Sequence, residues 1–230
     1  MDRLISKEHA DRLRSTIDPR RASVSTPSSF EWAREGTETT HVSVADNDRN
    51  AVSLTYTLEN SYGSKIVVPG AGFLLNNEMG DFNAGPGLTD ESGLIGTEPN
   101  LAAPGKRMLS NMTPTILVRD GRPLLVVGSP GGRRIPGAVL QAIVNVLSFR
   151  MNVQEAVDAP RAHHQWLPDL LRYERNGFSP DTLDILREWG HEVDEGDSWG
   201  SVQAIGIREN GRWLEGGSDR RRPDGAAIGR

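Results

Sequence analysis

No cysteine occurs among the 230 residues. That absence excludes disulfides, thiolate zinc sites and a cysteine nucleophile. It leaves the compartment open, because secreted bacterial proteins often lack cysteine too. No apolar run approaches membrane-spanning length, so no membrane span is expected. The opening stretch, MDRLISKEHADRLRSTID, is charged where a signal peptide would have an apolar core. The chain is therefore expected to be cytoplasmic or the tail end of something longer. There is no basic block either: 26 Lys and Arg stand against 31 Asp and Glu, a net charge of -5. Nucleic acid and anionic membrane are accordingly not expected partners.

What is present is an ordinary globular balance, 36% hydrophobic and 25% charged, with 25 glycines set mostly beside short apolar runs. That pattern favours a strand-rich, turn-rich protein over a helical bundle. Apolar residues at helical spacing from Leu4 to Ile17 predict a first helix. The Ser-, Pro- and Arg-rich stretch that follows, up to Glu38, reads as an exposed, flexible linker. Beyond it THVSVA and AVSLTYTL alternate as half-buried strands around the turn DNDRN. GFLLNNEM reads as a short strand running into a polar loop, and the Gly/Pro-rich run from Asp81 to Asn111 as a long loop, of a length that is usually functional or disordered. Hairpins are expected around Asp120-Gly121 and Asn210-Gly211. Helices are expected in IPGAVLQAIVNVLSF, in NVQEAVDAP up to Pro160, and in SPDTLDILREWGH with Ser179 as N-cap. Sheets and helices with dominant antiparallel hairpins make an α+β layered sandwich.

A turn centred on Asp48 sets the first hairpin's register, and residues whose numbers sum to 96 face each other. Thr39 then lies opposite Thr57 on one face, with His41, Ser43, Ala45, Ala51, Ser53 and Thr55. Val42, Val44, Val52, Leu54, Tyr56 and Leu58 form the other face, expected to be the apolar core. The hydroxylated face is either simply solvated, since threonine suits strands, or a working patch. Position speaks for the second: Thr39 stands where a linker meets an ordered strand. A cut before Thr39 would put a hydroxyl and an α-amine on one residue. Such an amine titrates near ~7.7–8.0, in the range of a general base, and a threonine with its own N-terminal amine is a nucleophile–base pair.

The blocks TTHVSVADNDRNAVSLTYTLENSYGSK, GFLLNNEMGDF, PGKRMLSNMTPT, GSPGGRRI, APRAHHQWLPD and SDRRRPDGAAIG resemble, in order, the small-subunit motifs of the gamma-glutamyltransferases (glutathione hydrolases). The resemblance runs from Thr39 to the end. It implies an N-terminal nucleophile hydrolase fold, a four-layer αββα sandwich, incomplete in this chain. It also implies two regions: 1–38 as the end of a large subunit, and 39–230 as the small-subunit catalytic region. Thr39 would cut the Glu38–Thr39 bond, and its freed hydroxyl would then take a γ-glutamyl group from glutathione or another γ-glutamyl amide. Water or an acceptor amino acid or dipeptide would release it. No cofactor is implied. The family suggests a periplasmic or extracellular setting and the precursor's large subunit as partner.

Thr57 matches the family's second threonine, which bonds the nucleophile. A tetrahedral oxyanion needs preorganised N–H donors, and SPGG at a strand-to-helix junction offers those of Gly131 and Gly132. Glu78 and Asp81 would hold the substrate's α-ammonium. Ser110 and Asn111 match a serine pair that holds the substrate carboxylate, Asn111 departing from the commoner serine while keeping hydrogen-bonding capacity. Glu59 stands as a further substrate contact where many relatives have asparagine. His163 and His164 lack a third ligand at sensible spacing, so no metal site is expected. His41 is set aside as a base, since the α-amine fills that role. The family's carboxylate-clamping arginine belongs to the large subunit, leaving Arg133 and Arg134 as internal substitutes. Two other readings remain: a related amidase of the cephalosporin-acylase type, and an inactive fragment that pairs with a partner chain.

Overall fold

The computed structural model describes residues 4–26, 38–83, 100–208 and 212–229. Much of the linker, most of the long loop's first half and the Asn210-Gly211 turn lie outside the described residues.

β1 (Glu38–Ala45) and β2 (Ala51–Glu59) form a two-stranded antiparallel sheet. Their register runs from Thr39↔Thr57 through His41↔Thr55 to Ala45↔Ala51, the expected sum rule over those residues, with Glu38↔Glu59 one step out. A second, four-stranded sheet has the order β3-β4-β8-β9, from β3 (Thr115–Arg119), β4 (Arg122–Gly128), β8 (Gln203–Arg208) and β9 (Trp213–Ser218). The β3–β4 turn has positive φ at both Asp120 (52°) and Gly121 (74°), the tight-turn geometry that Asp-Gly favours.

Helix α2 (Ile135–Leu147) places Ile135, Ala138, Val139, Ala142 and Val146 on one stripe and buries them. Pro136 is tolerated in its first turn, where a missing N–H costs nothing. α3 (Val153–Asp158) starts with a reciprocal cap: Asn152 accepts from Glu155 N at 2.8 Å, and Glu155 accepts from Asn152 N at 3.0 Å. Both helices pack on the outer face of the four-stranded sheet, closing a core with Leu125, Val127, Val202 and Ala204. Gly217 admits α3 there, since a Cβ on it would lie 3.0 Å from the Val153 carbonyl oxygen.

The inner face of that sheet meets β1–β2, and here the structure corrects the expected facing. The hydroxylated face points inward: Ser43 donates to the Gln203 carbonyl at 3.2 Å and Ser53 to the Val127 carbonyl at 3.1 Å. The apolar face, expected to be core, is open, with Val42, Val44, Val52, Leu54 and Tyr56 between 48% and 58% exposed. Small hydroxylated side chains let two sheets approach closely and bond each other's carbonyls. Among the described residues, therefore, three layers of an αββα sandwich are present in the order helices, sheet, sheet.

A third sheet, β5 (Ala162–His164), β6 (Leu171–Glu174) and β7 (Val193–Gly196), is antiparallel then parallel, with α4 (Pro180–Glu188) leading into β7. Ser179 occupies the N-cap position of α4, but its hydroxyl bonds Thr182 Oγ1 at 2.9 Å rather than a backbone N–H. A buried ionic group locks the C-terminal tail to this region: Arg161 to Asp219 at 2.5 Å, and Arg221 to Glu174 at 2.5 Å. The first helix, α1, is shorter than expected (Lys7–Arg14) and buries no residue. Part of the supposedly free linker is docked: Ser25 N and Oγ both donate to Asp169, at 2.8 and 2.9 Å. GFLLNNEM is not a strand; only Leu74 makes a bridge, to Val67, before a 3-10 turn from Glu78 to Asp81. No helix among the described residues is long and apolar enough to cross a membrane.

Candidate active site

The ladder between β1 and β2 breaks at one place, between Glu38 and Thr39, where Glu38 pairs with Glu59 while Thr39 pairs with Thr57. Such a bulge re-aims the backbone locally and is over-represented beside active sites. Opposite it, Thr57 Oγ1 accepts from Glu59 N at 2.9 Å, and the Thr57 hydroxyl also bonds the Glu78 carboxyl. The end of β2 and the 3-10 turn thus gather Thr57, Glu59, Glu78 and Asp81 next to Thr39.

The three carboxyl groups perturb one another. Burial, then the charge of Asp81 and a hydrogen bond to it, push Glu78 up to about 7. Burial also raises Asp81, against the hydrogen bond from Glu78 and the nearby charge of Arg133. Glu59 is raised by burial and by Asp81. Glu78 Oε1 is buried and accepts no hydrogen bond. A buried carboxyl group whose acid form is favoured, with an oxygen that accepts no hydrogen bond, has room for a further donor or cation.

Three residues that sequence reasoning passed over shape this cluster. A Cβ at position 80 would lie 2.2 Å from Glu59 Oε1, so Gly80 leaves the space the longer Glu59 side chain fills. Asn77 Nδ2 then fixes that carboxylate at 2.7 Å. Asn100 is the second tie: its Nδ2 donates to the Asp81 carbonyl at 2.8 Å and its Oδ1 accepts from Leu109 N at 2.9 Å. It joins the acidic turn to the segment carrying Ser110 and Asn111. The only sequence signal was an amide residue before the long loop and another within it. Ser110 is exposed, its Oγ accepting from Met112 N at 3.3 Å, and Asn111 is half-buried.

Gly131 and Gly132 follow β4 at the mouth of a 3-10 turn, Gly132–Arg134, with φ of 134° and 57°. Those values require glycine, and Gly131 also lies against the backbone of Gly200, where a Cβ would come within 3.3 Å of Gly200 Cα. The leading N–H groups of such a turn have no acceptor within it. Pro130, just before them, shares with Thr39 a cavity of about 310 Å³, closed by Ser201, Gln203 and the tail around Gly225. Neither Glu59, Glu78 nor Asp81 lines it, so Thr39 stands between that cavity and the carboxylates.

His41 lies beneath Thr39, between the sheets. Its Nδ1 pairs with Thr55 Oγ1 at 2.8 Å and its Nε2 with Ser43 Oγ at 3.0 Å. Its ring packs on Gly128, and burial lowers its pKa to about 4. It is a neutral spacer in the core. Of the two other histidines noted, His163 bonds Gln165 and His164 bonds Asp169. No group of metal-binding side chains occurs among the described residues.

A sandwich whose inner strand carries a threonine directly after a break in its ladder is the architecture of the N-terminal nucleophile hydrolases. The sequence pattern of the gamma-glutamyltranspeptidases matches residues 1–229, and the chain belongs to that family. It is 50% identical over 195 residues to the glutathione hydrolase proenzyme of Escherichia coli, covering 85% of this chain and 33% of that protein. To the glutathione hydrolase proenzyme of a Pseudomonas species it is 41% identical over 235 residues, covering 98% of this chain and 41% of the relative. The chain thus spans between a third and about two-fifths of these curated relatives. The crystal structure of Helicobacter pylori gamma-glutamyltranspeptidase superimposes with a TM-score of 0.74 at 48% identity, over 80% of this chain and 100% of the matched one.

Proposed function

We propose that residues 39–230 are the catalytic region of a γ-glutamyl transferase and hydrolase, and that residues 1–38 are the end of the segment removed from it by self-cleavage. The observation that carries this reading is the ladder break at Glu38–Thr39, facing Thr57 and three carboxyl groups. The whole chain matched in the Helicobacter pylori structure corresponds to 80% of this one, close to the share that residues 39–230 make up.

In the first reaction the Thr39 hydroxyl attacks the Glu38 carbonyl carbon. The Glu38 acyl group passes from the Thr39 nitrogen to its Oγ, which frees the amine and leaves an ester. Water then hydrolyses the ester to release the Glu38 carboxylate and the Thr39 hydroxyl. In the second, that amine takes the hydroxyl proton as Oγ attacks the γ-carbonyl of glutathione or another γ-glutamyl amide. The N–H groups of Gly131 and Gly132 bind the oxyanion, where a lost donor typically costs about 10²–10³ in rate. The amine returns the proton to the leaving nitrogen. Water or the amine of an amino acid or dipeptide then resolves the acyl-enzyme. Thr57 orients Thr39, and Glu78 and Asp81, with Glu59 beside them, counter the substrate's α-ammonium. Ser110 and Asn111 bond its α-carboxylate. Arg133 acts through its charge on Asp81, whereas Arg134 lies over the Trp199 ring at 5.0 Å. The large subunit of the same precursor is the partner that covers the apolar β1–β2 face.

The test is the Thr39→Ala protein beside the parent. The parent splits into two bands on a denaturing gel and, with its large subunit, turns over γ-glutamyl-p-nitroanilide. The variant does neither. Cleavage retained in Thr39→Ala would overturn the reading.

A further inference from the structure

Glycine gives the turn at Gly131 and Gly132 its shape but nothing to hold that shape. The pair keeps φ of 134° and 57° with no side chain to restrict it, and glycine has the widest backbone freedom of any residue. An oxyanion site works only if its donors are already aimed when the charge develops. The two peptide planes must therefore be fixed by bonds from other residues.

In a planar trans peptide the N–H points opposite to the C=O, so a bond to the carbonyl on one side aims the N–H on the other. The Gly132 N–H is set from within the turn, since the Gly131 carbonyl accepts from Arg134 N at 3.2 Å. The Gly131 N–H shares its peptide with the Pro130 carbonyl, which accepts from Ser129 Oγ at 2.6 Å. Ser129 is fully buried. Its hydroxyl accepts in turn from Ser201 N at 3.1 Å, which leaves its single proton for Pro130. The segment carrying Ser201 is pinned on both sides. The Trp199 carbonyl accepts from Arg161 Nη1 at 2.8 Å, and Val202 N donates to Asp219 Oδ2 at 2.9 Å. Gly200 lets this segment close on the bond, because a Cβ there would meet Ser129 Oγ at 3.0 Å and the Pro130 carbonyl oxygen at 3.2 Å. Pro130 and Ser201 both line the cavity that Thr39 lines.

We propose that Ser129 is a positioning residue for the transfer reaction. Its hydroxyl, fixed by Ser201, holds the Pro130 carbonyl and so aims the Gly131 N–H at the oxyanion. The inference rests on the γ-glutamyl transfer reading. The experiment compares the parent, Ser129→Ala and Ser129→Cys, each processed and with its large subunit, on γ-glutamyl-p-nitroanilide. Acylation and deacylation both pass through an oxyanion, so kcat should fall in Ser129→Ala whichever step limits it. The fall should be at least about tenfold, up to the ~10²–10³ of a lost donor, with KM within about twofold of the parent's. A γ-boronic acid analogue of glutamate, which forms a tetrahedral adduct on the nucleophile, should lose affinity by a similar factor. L-Norvaline, which carries the α-ammonium and α-carboxylate without an oxygen on the side chain, should bind as it does to the parent. Cysteine keeps a weak donor in nearly the same space, so Ser129→Cys should lie between parent and alanine protein. Parental kcat in Ser129→Ala overturns the proposal, as does equal weakening of the boronate and norvaline. Should the alanine protein not fold, Ser129→Cys is read alone, and parental kcat and boronate affinity in it overturn the proposal. If the parent itself does not turn over γ-glutamyl-p-nitroanilide, the transfer reading fails first and this one falls with it.

Discussion

His41 is neutral in the folded chain because burial between the sheets lowers its pKa from 6.5 to about 4. The unfolded chain takes up a proton there below about pH 6.5, and the folded chain does not until near pH 4. For a base with a depressed folded pKa, the contribution to stability is present above the unfolded value and is lost as pH falls toward the folded one. Between about pH 7.5 and about pH 4.5 this single group should remove about 2.5 kcal/mol of stability, at ~1.36 kcal/mol per unit of difference. Carboxyl groups with raised values, Glu59, Glu78 and Asp81, act in the opposite direction over that range. The comparison must therefore be between proteins. His41→Gln lacks the titration while its amide can still bond a neighbouring hydroxyl. Urea unfolding of parent and variant at the two pH values should show a smaller acid loss in the variant, by about 2.5 kcal/mol. Parallel losses in both proteins would refute the claim that a buried neutral imidazole spaces the sheets.

Asp81→Ala should weaken γ-glutamyl amides by ~2–5 kcal/mol while sparing glutaryl amides, which lack the ammonium, and steady-state kinetics on the two substrates measure it; equal losses would make Asp81 structural. Gly217→Ala should destabilise the fold by ~1–3 kcal/mol, because the new Cβ meets the Val153 backbone at 3.0 Å, and a denaturation midpoint equal to the parent's would contradict that. The exposed face of Val42, Val44, Val52, Leu54 and Tyr56 should make the 230-residue chain associate on its own; light scattering should show Leu54→Lys reducing that association, and a monomeric parent would remove the premise.

The site's frame was readable because it depends on local rules. A five-residue turn fixes register, and register sets Thr39 against Thr57. The hairpin at Asp120-Gly121 and the stripe of α2 were legible for the same reason. What was not legible depended on partners distant in the chain. Alternation separates Val42, Leu54 and Tyr56 from Ser43, Ser53 and Thr55, but it does not say which side another sheet will cover, and the apolar side was wrongly taken as the core of this chain. Glu59 looked like a simple departure from asparagine; only folding brings Gly80 beneath it and Asn77 onto it. Asn100 was hidden because its partners Asp81, Asn83 and Leu109 lie toward the two ends of a long loop. Strands β5 to β7 are three or four residues long, too short for a period to show.

The most direct measurement is peptide mass spectrometry of the processed protein, acid-quenched during turnover of a γ-glutamyl amide. The account predicts a peptide that begins at Thr39 and carries one γ-glutamyl group on that residue. A γ-glutamyl group on any other side chain, or turnover by protein in which Glu38 and Thr39 are still joined, would contradict it.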